Sequence, residues 1–475
     1  MDLKILMTCL FLIIAFFPLL ARAEKTMTTT LDDQEELAVT VYNVNMALVK
    51  DQRKLELPKG ACELRFMDVA AKIIPTSVHI VSLTAPDNLF VLEQNYEYDL
   101  LSPAKLLDKY VGKEVKLYTK NHYTEREEWV TATLLSNNQG PIFKIGDEIT
   151  YGHPGRIIFP GVPDNLMAKP TLVWLLDNNR SSPQTVEASY LTNGINWQCD
   201  YVLVLSADDK RAGFNGWVTI DNKSGTTYGN AKLKLVAGDV HRVTPDRLRD
   251  NILRSAQLER AKSKPQFKEE EFFEYHIYTL DRRTTVKQNQ TKQISLVEAQ
   301  NIGVHKELLF YGAAYYYRSQ HGEVMSNQKV GVFVEVANQA SNNMGMPLPK
   351  GIVRVYKKDS EGSLQFVGED RIDHTPKDEK FRIHMGEAFD VVGERKQTDW
   401  KKIAYDTYEA AFEISLRNHK KEAVTVRVIE PIPGDWQMLQ HSHEYEKTQA
   451  FTAEFNVPVP SNKEVKITYR VRMRF

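Results

Sequence analysis

The chain has 475 residues, of which 61 are Lys or Arg and 62 are Asp or Glu, so its formal net charge at pH 7 is −1. This length predicts roughly two to four domains at about 100–200 residues each. The balanced charge gives no global attraction to nucleic acid or anionic lipid, and we expect no nucleic acid among its partners.

The first 23 residues have the pattern of a secretory signal peptide. Lys4 precedes an apolar run from Ile5 to Leu20, and Ala21 and Ala23 occupy the −3 and −1 positions of a cleavage site. Pro18 interrupts the run, which is shorter than the roughly 20 apolar residues of a membrane span. An uncleaved anchor is the alternative. We predict a signal peptide at 1–23 and an exported, periplasmic protein that does not span the membrane after cleavage.

Residues 24–170 contain short alternating strands and one helix. We predict an N-terminal β-domain at 24–100 and a second domain at 101–170. In "SPAKLLDKYVG", Ser102 can cap a helix near 103–111, Pro103 suits its first turn and Gly112 can end it. The closely spaced strands that follow predict a small antiparallel barrel or a curled sheet.

From residue 171 the strands lengthen, and apolar and polar residues alternate over about ten positions, which is typical of a β-sandwich. We predict a β-sandwich region at 171–475, and an all-β, mainly antiparallel fold for the whole chain. "TVEASYLTNGINWQCDYVLVLS" predicts a hairpin around Asn193-Gly194. Residues 245–272 are charged and do not alternate, and we interpret them as a helical or disordered insertion.

Cys62 and Cys199 both lie on the apolar face of an alternating segment. We therefore predict two buried thiols rather than a nucleophile, because an apolar site raises a thiol pKa and no His lies nearby in sequence. A disulfide would have to bring the two Cα atoms within about 7 Å. The sequence leaves open whether the two cysteines pair.

Motifs that would identify an enzyme are missing. The sequence has no G-x-S-x-G, no Gly-rich phosphate loop, no H-E-x-x-H and no C-x-x-C. We predict no catalytic residue, no metal site and no cofactor. His441 and His443 could present two imidazoles from one strand face to a metal, but no third ligand is indicated, and we interpret them as polar loop residues.

Two weaker groups of residues are candidates for binding. In "GEDRIDHTP", Glu369, Asp370, Asp373 and His374 could perform acid–base chemistry or hold a cation, although Asp also favours turns for backbone reasons. In "AAYYYR", Tyr315 and Tyr317 could line a carbohydrate or peptide groove, and strand alternation predicts that Tyr316 faces the opposite side of the sheet. Packing between domains is the alternative for these tyrosines.

Several segments resemble the domain of unknown function 4139, which also occurs in mucoidy-inhibitor-like proteins. They include "YLTNGINWQCDYVLVL", "GWVTIDNKSGTTYGNAKLKLVAGDVHRV", "GEAFDVVGERK" and "ISLRNHKKEAVTVRVIEPIPGDWQ", and the resemblance covers about residues 185–475. The first half resembles the N-terminal part of the same exported bacterial proteins. The resemblance implies a β-rich envelope protein without an established activity or catalytic residues. The chain lacks the long coiled coil of the mucoidy-inhibitor branch, so that branch's role is not carried over.

Three functional hypotheses follow. The first is a non-enzymatic envelope protein that binds a protein or glycan partner. The second is an envelope hydrolase that uses the cluster at 369–374. The third is an assembly factor associated with the outer membrane.

Overall fold

The computed structural model describes residues 25–120, 125–163, 166–238, 266–272, 275–322 and 325–475. It is 65% strand and 6% helical, which confirms the predicted all-β class. The chain divides into two compact units. The first comprises the residues up to Glu36 together with Lys50–Tyr190, and the second comprises Leu37–Val49 together with Leu191–Phe475. The finer division at residues 100 and 170 stays a prediction, and the signal peptide predicted at 1–23 lies outside the described residues.

Short strands build the first part of the chain. They are β1 (Lys25–Thr29), β2 (Gln34–Tyr42), β3 (Met46–Leu55), β4 (Gly60–Met67), β5 (His79–Ser82), β6 (Leu89–Glu97), β7 (Glu114–Lys120), β8 (Glu127–Ser136), β9 (Ile142–Ile145), β10 (Glu148–Tyr151), β11 (Arg156–Ile158), β12 (Thr171–Asn178) and β13 (Gln184–Asn193). Four of them form a sheet in the order β1-β4-β12-β6, and β5 pairs with β13. Apart from the parallel pair β1–β4, these pairings are antiparallel, as predicted.

The predicted helix is present as α1 (Pro103–Tyr110). The Ser102 hydroxyl accepts a hydrogen bond from the Lys105 N–H at 3.2 Å, and Gly112 follows the helix with a φ of +81°. Leu106, Leu107 and Tyr110 pack on a small core with the sheet that follows. No helix among the described residues is long and apolar enough to cross a membrane.

That sheet has five strands in the order β10-β9-β8-β7-β11. It is open rather than closed into a barrel, so the small barrel that the short strands predicted as one alternative is not formed. In the described part of the chain its edges are β10, with four residues, and β11, with three. Edges this short offer few backbone groups to pair with each other, which explains why the sheet does not close.

The second unit contains longer strands. They are β14 (Ile195–Leu205), β15 (Arg211–Asn222), β16 (Tyr228–Ala237), β17 (Phe267–Phe272), β18 (Tyr275–Leu280), β19 (Thr284–Val286), β20 (Gln290–Tyr311), β21 (Met325–Ala337), β22 (Gly351–Lys358), β23 (Leu364–Ile372), β24 (Lys380–Lys402), β25 (Thr407–Asn418), β26 (Val424–Pro431), β27 (Asp435–His441), β28 (Glu446–Gln449), β29 (Thr452–Val459) and β30 (Lys463–Arg474). The main sheet runs β23-β22-β14-β15-β20-β21-β24-β25-β30-β27. Strand β26 joins it through β20 and continues to β29 and β28.

The end of the predicted insertion is a strand, which corrects the interpretation of residues 245–272. Strand β17 pairs antiparallel with β18, and Phe272 lies opposite Tyr275 in their register. The Glu269 carboxylate lies 2.7 Å from His276 Nδ1 and links the two strands through their side chains. Pairing with β18 therefore stabilises as a strand a segment whose composition alone does not predict one. Residues 245–265 lie outside the described residues.

The predicted hairpin at Asn193-Gly194 is wrong, although both of its strands exist. Strand β13 pairs with β5, whereas β14 pairs with β15 and with β22, so the chain passes from one sheet to another at this turn. The predicted side-chain pattern of β14 is confirmed, because Trp197, Cys199 and Tyr201 are at most 3% exposed. A local turn signal indicates a change of direction but does not select the strand that will pair.

One hydrophobic core of the second unit lies between two layers of strands. On one side β25 and β30 contribute alternate residues such as Phe412 and Tyr469, and on the other side β26 and β29 contribute residues such as Val428 and Phe455. The rings of Phe455 and Tyr469 lie 5.5 Å apart and join the layers. This arrangement is the sandwich that the alternation predicted.

Four buried asparagines stand where strands end. Asn178, Asn222 and Asn418 are the last residues of β12, β15 and β25, and Asn338 follows β21 directly. Each is at most 1% exposed. Each Nδ2 donates to one carbonyl in the turn that follows its strand and to two consecutive carbonyls of a distant segment. The distant pairs are Leu57-Pro58, Val286-Lys287, Thr375-Pro376 and Val459-Pro460, respectively.

The same asparagines also accept hydrogen bonds through Oδ1. For Asn418 the donor is the Lys420 N–H at 2.9 Å, and for Asn338 it is the Gly345 N–H at 3.0 Å. One buried amide thus satisfies donors and acceptors of two chain segments, which buried backbone groups require. We call this arrangement the asparagine brace. It recurs without a fixed spacing in sequence, so a search for a regular repeat does not detect it.

The brace at Asn418 predicts a large loss of stability on substitution. In Asn418→Ala, the carbonyls of Glu422, Val459 and Pro460 lose their buried donor. We expect the free energy of unfolding in urea to fall by at least about 2 kcal/mol, because unsatisfied buried polar groups cost about 1–3 kcal/mol each. Asn456→Ala, at an exposed position of β29, is the control and is expected to change little. Equal effects of the two substitutions would contradict the role of the brace.

Candidate functional site

The acidic side chains predicted from the sequence as a candidate site make contacts with other residues of the fold. Glu369 lies on the exposed edge of β23 and its carboxylate is 3.2 Å from Arg354 Nε. Asp370 points the other way, and its carboxylate accepts hydrogen bonds from the backbone N–H groups of Arg371 at 2.8 Å and His384 at 2.7 Å. The two carboxylates therefore lie on opposite sides of one strand and do not form a pair for acid–base chemistry.

Asp373 and His374 follow the end of β23. Asp373 is exposed, and its backbone carbonyl accepts from the Thr375 hydroxyl at 2.9 Å. His374 Nδ1 accepts from the Lys350 N–H at 3.2 Å and joins two loops. The Asp373 backbone is thus part of the turn after β23, and the His374 side chain links this turn to a second loop.

The two candidate tyrosines differ in their exposure to solvent. Residues Ala314–Tyr317 form a 3₁₀ turn rather than a strand, so their side chains do not alternate. Tyr315 is 51% exposed, whereas Tyr317 is fully buried in the core. Tyr316 is buried as well, and its ring lies 4.2 Å from that of Tyr315. Of the two candidates, only Tyr315 is placed where it can contact a ligand at the surface.

No metal centre is formed by the described residues, among which no group of three or more His, Cys, Asp or Glu side chains is arranged to hold an ion. His441 and His443 lie at an exposed turn, where His441 Nδ1 is 3.0 Å from the His443 carbonyl oxygen. Cys62 and Cys199 are free thiols and both are buried. Burial raises the pKa of the Cys199 thiol, which keeps it protonated and unreactive.

A cavity of about 480 Å³ opens between β20, β21 and β24 in the second unit. Its walls include Phe310 and Tyr311 from β20, Phe333 from β21, and His384 and Glu387 from β24. The volume is within the range of about 300–1,000 Å³ that small binding sites occupy. The cavity therefore gives the second unit a concave surface with aromatic and ionisable side chains.

Aromatic contacts shape this cavity. The Phe333 ring stacks on the His384 imidazole at 4.6 Å, and Tyr311 meets Phe333 edge-on at 6.4 Å. His384 Nε2 lies 3.9 Å from the Glu387 carboxylate, and Lys329 brings a positive charge to the rim. The contact between Asp370 and the His384 N–H fixes the backbone of this wall from outside. The lining thus combines apolar rings with charges of both signs.

A bulge in β24 forms one side of the cavity. Gly331 lies opposite Glu387, but Lys329 lies opposite Val392, so β24 advances five residues while β21 advances two. Gly386, at the start of the bulge, has a φ of +111°, which a residue with a side chain rarely adopts. The bulge turns Phe389 outward until its side chain is 95% exposed. Bulges often re-aim side chains in this way beside binding sites.

A buried ion pair supports the cavity from within the core. Arg395 on β24 donates from Nη2 to the Glu430 carboxylate on β26, and both side chains are at most 2% exposed. The Arg395 guanidinium also lies 5.3 Å from the Phe310 ring, which lines the cavity. Gly312 leaves room for the pair, because an added Cβ would lie 2.5 Å from Glu430 Oε2. Positive charge over an aromatic face further stabilises the arrangement.

Tyr317 completes this polar cluster. Burial, with the nearby Glu430 carboxylate, raises the pKa of its phenol well above the ordinary value, so the hydroxyl stays protonated. It donates that proton to Glu430 and accepts a hydrogen bond from the Tyr469 hydroxyl at 2.7 Å. The sequence candidate Tyr317 is thus a donor to a buried carboxylate.

Sequence reasoning did not identify the cavity residues. Phe333, His384 and Glu387 lie on strands whose alternation resembles that of any other strand. One signal was present, since Gly386 and Gly393 interrupt the strand pattern of "MGEAFDVVGERK", and isolated glycines in strands often mark bulges. These glycines could indicate a cavity only once β21 was known to be the strand that pairs with β24.

A protein-family model described as "Domain of unknown function (DUF4139)" matches residues 186–475. This match confirms the resemblance that the sequence segments indicated. The comparison with curated proteins finds no match. The cavity, the β24 bulge and the buried ion pair all lie inside the matched residues, whereas α1 and the five-stranded sheet precede them.

Removing the charge of Glu430 tests the support beneath the cavity. Glu430→Gln leaves the Arg395 guanidinium buried without a counter-ion, and we expect it to lower the free energy of unfolding by about 3–5 kcal/mol. Asp406→Asn removes one partner of the exposed pair with Arg474 and should not change stability measurably. The double variant Arg395→Met/Glu430→Leu should lose less unfolding free energy than Glu430→Gln alone, because it leaves no unpaired buried charge. A larger loss in the double variant would contradict this account. Urea denaturation measures all three.

The thiol of Cys199 should be inaccessible in the folded protein. We expect iodoacetamide at pH 8 to leave Cys199 unmodified in native protein and to alkylate it fully in urea, because burial both raises its pKa and excludes the reagent. Mass spectrometry of the peptide that contains Cys199 provides the measurement. Rapid alkylation of folded protein at this site would contradict the assignment of Cys199 to the core.

Proposed function

We propose, from the premise that the chain belongs to the DUF4139 family, that it is an exported, non-enzymatic binding protein of the bacterial cell envelope. The signal-peptide pattern of residues 1–23 supports export to the periplasm. The proposed partner is another envelope protein, which binds at the cavity between β20, β21 and β24.

One observation carries this proposal. Phe389 stands 95% exposed on a bulge next to a 480 Å³ cavity. Covering a Phe side chain of this exposure gains about 1.5–3 kcal/mol, and aromatic residues are enriched at the centres of protein interfaces. The exposed ring does not contribute to the stability of the sheet, because it buries no apolar surface within the fold.

The surroundings of Phe389 favour a protein over a small apolar ligand. Tyr311, on the cavity wall, is 49% exposed, and Lys329 and Glu387, which also line the cavity, carry opposite charges. An exposed aromatic anchor beside charges of both signs matches the arrangement of protein interfaces, in which a polar rim surrounds an apolar centre. The cavity would take a side chain of the partner, while Phe389 packs on the partner's surface.

The hydrolase hypothesis gains no support from the placement of its residues. Asp370 accepts two backbone hydrogen bonds, Glu369 is paired with Arg354, and His374 accepts from a loop N–H. The assembly-factor hypothesis is compatible with a partner-binding cavity. It differs only in the identity of the partner, which the following experiment determines.

Photocrosslinking in intact cells tests the proposal. With p-benzoylphenylalanine at position 389, we expect a discrete adduct with an envelope protein that mass spectrometry can identify. Tyr405 is the matched control, because it is 92% exposed in the same unit and does not line the cavity. We expect at least about tenfold less adduct from position 405, as contact falls off outside the interface.

A second variant confirms the site. The crosslinker at Tyr311 should yield the same adduct, and Phe389→Ser should abolish it without changing the amount of folded protein. Equal adducts from 389 and 405, or none from either, would refute the proposal. An outer-membrane protein in the adduct would favour the assembly-factor role.

A further inference from the structure

The outer face of the five-stranded sheet carries a row of three side chains. In the register of the sheet, Arg156 on β11 lies opposite Tyr118 on β7, and Tyr118 lies opposite Trp129 on β8. Side chains alternate along a strand, and the neighbours Leu117 and Val130 point into the core beneath. The row therefore faces away from the core.

The two aromatic rings of this row are in contact. The centroids of Tyr118 and Trp129 lie 4.8 Å apart, their planes are inclined by 56°, and Trp129 is 56% exposed. We call the exposed Trp129 ring, with Tyr118 beside it, the platform. Three adjacent strands spaced by about 4.8 Å make the row about 10 Å long, close to the length of a disaccharide. Exposed aromatic surface of this kind marks interaction sites more often than it serves stability.

Charge on the same face is mainly positive. Arg156 ends the row, and Lys116 and Lys120 flank Tyr118 along β7. All three cations are exposed. Glu127 interrupts the positive charge next to the platform, where its carboxylate accepts a hydrogen bond from the Tyr118 hydroxyl at 3.1 Å. The surface thus offers aromatic faces, cationic donors and two carboxylates, Glu127 beside the platform and Glu114 further along β7.

We propose that this row binds an acidic glycan, with one pyranose ring on the Tyr118–Trp129 platform and a ring carboxylate at Arg156. The C–H face of a sugar ring packs on an indole or phenol ring, and a guanidinium pairs with a carboxylate through charge-assisted hydrogen bonds. The Glu127 carboxylate accepts hydrogen bonds from sugar hydroxyls. This site is independent of the β20–β21–β24 cavity and of the proposed protein partner.

Single-stranded nucleic acid also stacks on aromatic rings beside basic residues. Glu127 favours a glycan here, because its carboxylate can accept hydrogen bonds from sugar hydroxyls, whereas a single-stranded DNA backbone carries no free hydroxyl along the chain. The negative charges of Glu127 and Glu114 oppose either polyanion, so the glycan carboxylate is placed at Arg156, on the far side of β7 from β8.

Affinity electrophoresis of the purified chain tests the proposal with polygalacturonate as the acidic glycan and pullulan as the neutral one. We expect retardation by polygalacturonate and little by pullulan. Trp129→Ala should raise the dissociation constant at least about tenfold, and Trp129→Phe should retain most of the binding, because it keeps an aromatic face. Arg156→Gln should weaken polygalacturonate binding about tenfold, since it removes the charged donor.

Two matched controls lie on the same face outside the row. Tyr151→Ala removes an aromatic side chain that is 73% exposed on β10, and Lys144→Gln removes an exposed cation on β9. Both should bind polygalacturonate like the original chain, as should Phe389→Ser, whose site belongs to the other proposal.

Three results would overturn the inference. The first is no retardation by either polymer. The second is a loss with Lys144→Gln equal to that with Arg156→Gln and no effect of Trp129→Ala, which would indicate non-specific charge attraction. The third is tighter binding of an oligothymidine that also depends on Trp129, which would assign the platform to nucleic acid.

Discussion

The asparagine brace is the constraint on which the rest of this structure depends. A sandwich of long strands must turn its chain at each strand end, and each turn leaves backbone groups buried without a ladder partner. One amide at that point donates to its own turn and to two carbonyls of another segment, and so fixes both. The same solution stands at Asn178 in the first unit and at Asn222, Asn338 and Asn418 in the second. Because the asparagine brace fixes the turns at the strand ends, the strands between these turns can deviate from regular pairing.

The cavity illustrates what such support permits. Strand β24 leaves its register with β21 for several residues, which removes ladder hydrogen bonds and turns a phenylalanine into solvent. Strand β21 is braced just beyond its end by Asn338, and β24 carries the buried pair of Arg395 with Glu430. Because buried pairs hold geometry at little net gain in stability, their role here is to fix the wall that Phe310 shares with the cavity. Irregular geometry persists where its surroundings determine it from several sides.

The two candidate surfaces differ in their physical character. The cavity of the second unit is concave, has charges of both signs and lies beside a protruding ring, which suits a protein side chain and its surroundings. The five-stranded sheet of the first unit offers an exposed aromatic row with mainly positive charge, which suits the C–H face of an acidic sugar ring. A chain with both properties would connect a glycan to a protein partner in the envelope. Each surface depends on its own unit, so each proposal can fail without the other.

The sequence by itself determined the features that depend on near neighbours along the chain. Alternation predicted the all-β class and the burial of Cys199, and the order Ser102-Pro103 with Gly112 located α1, because caps and strand faces are set within a few residues. Only the tertiary structure decided which strands pair. It separated β13 from β14 at Asn193-Gly194, turned Phe267–Phe272 into a strand, buried Tyr317, and placed Asp370 against the backbone of β24. Any extended segment offers the same backbone donors and acceptors, so its partner is chosen by the competition of all other strands. A bulge such as that at Phe389 exists only relative to the partner so chosen.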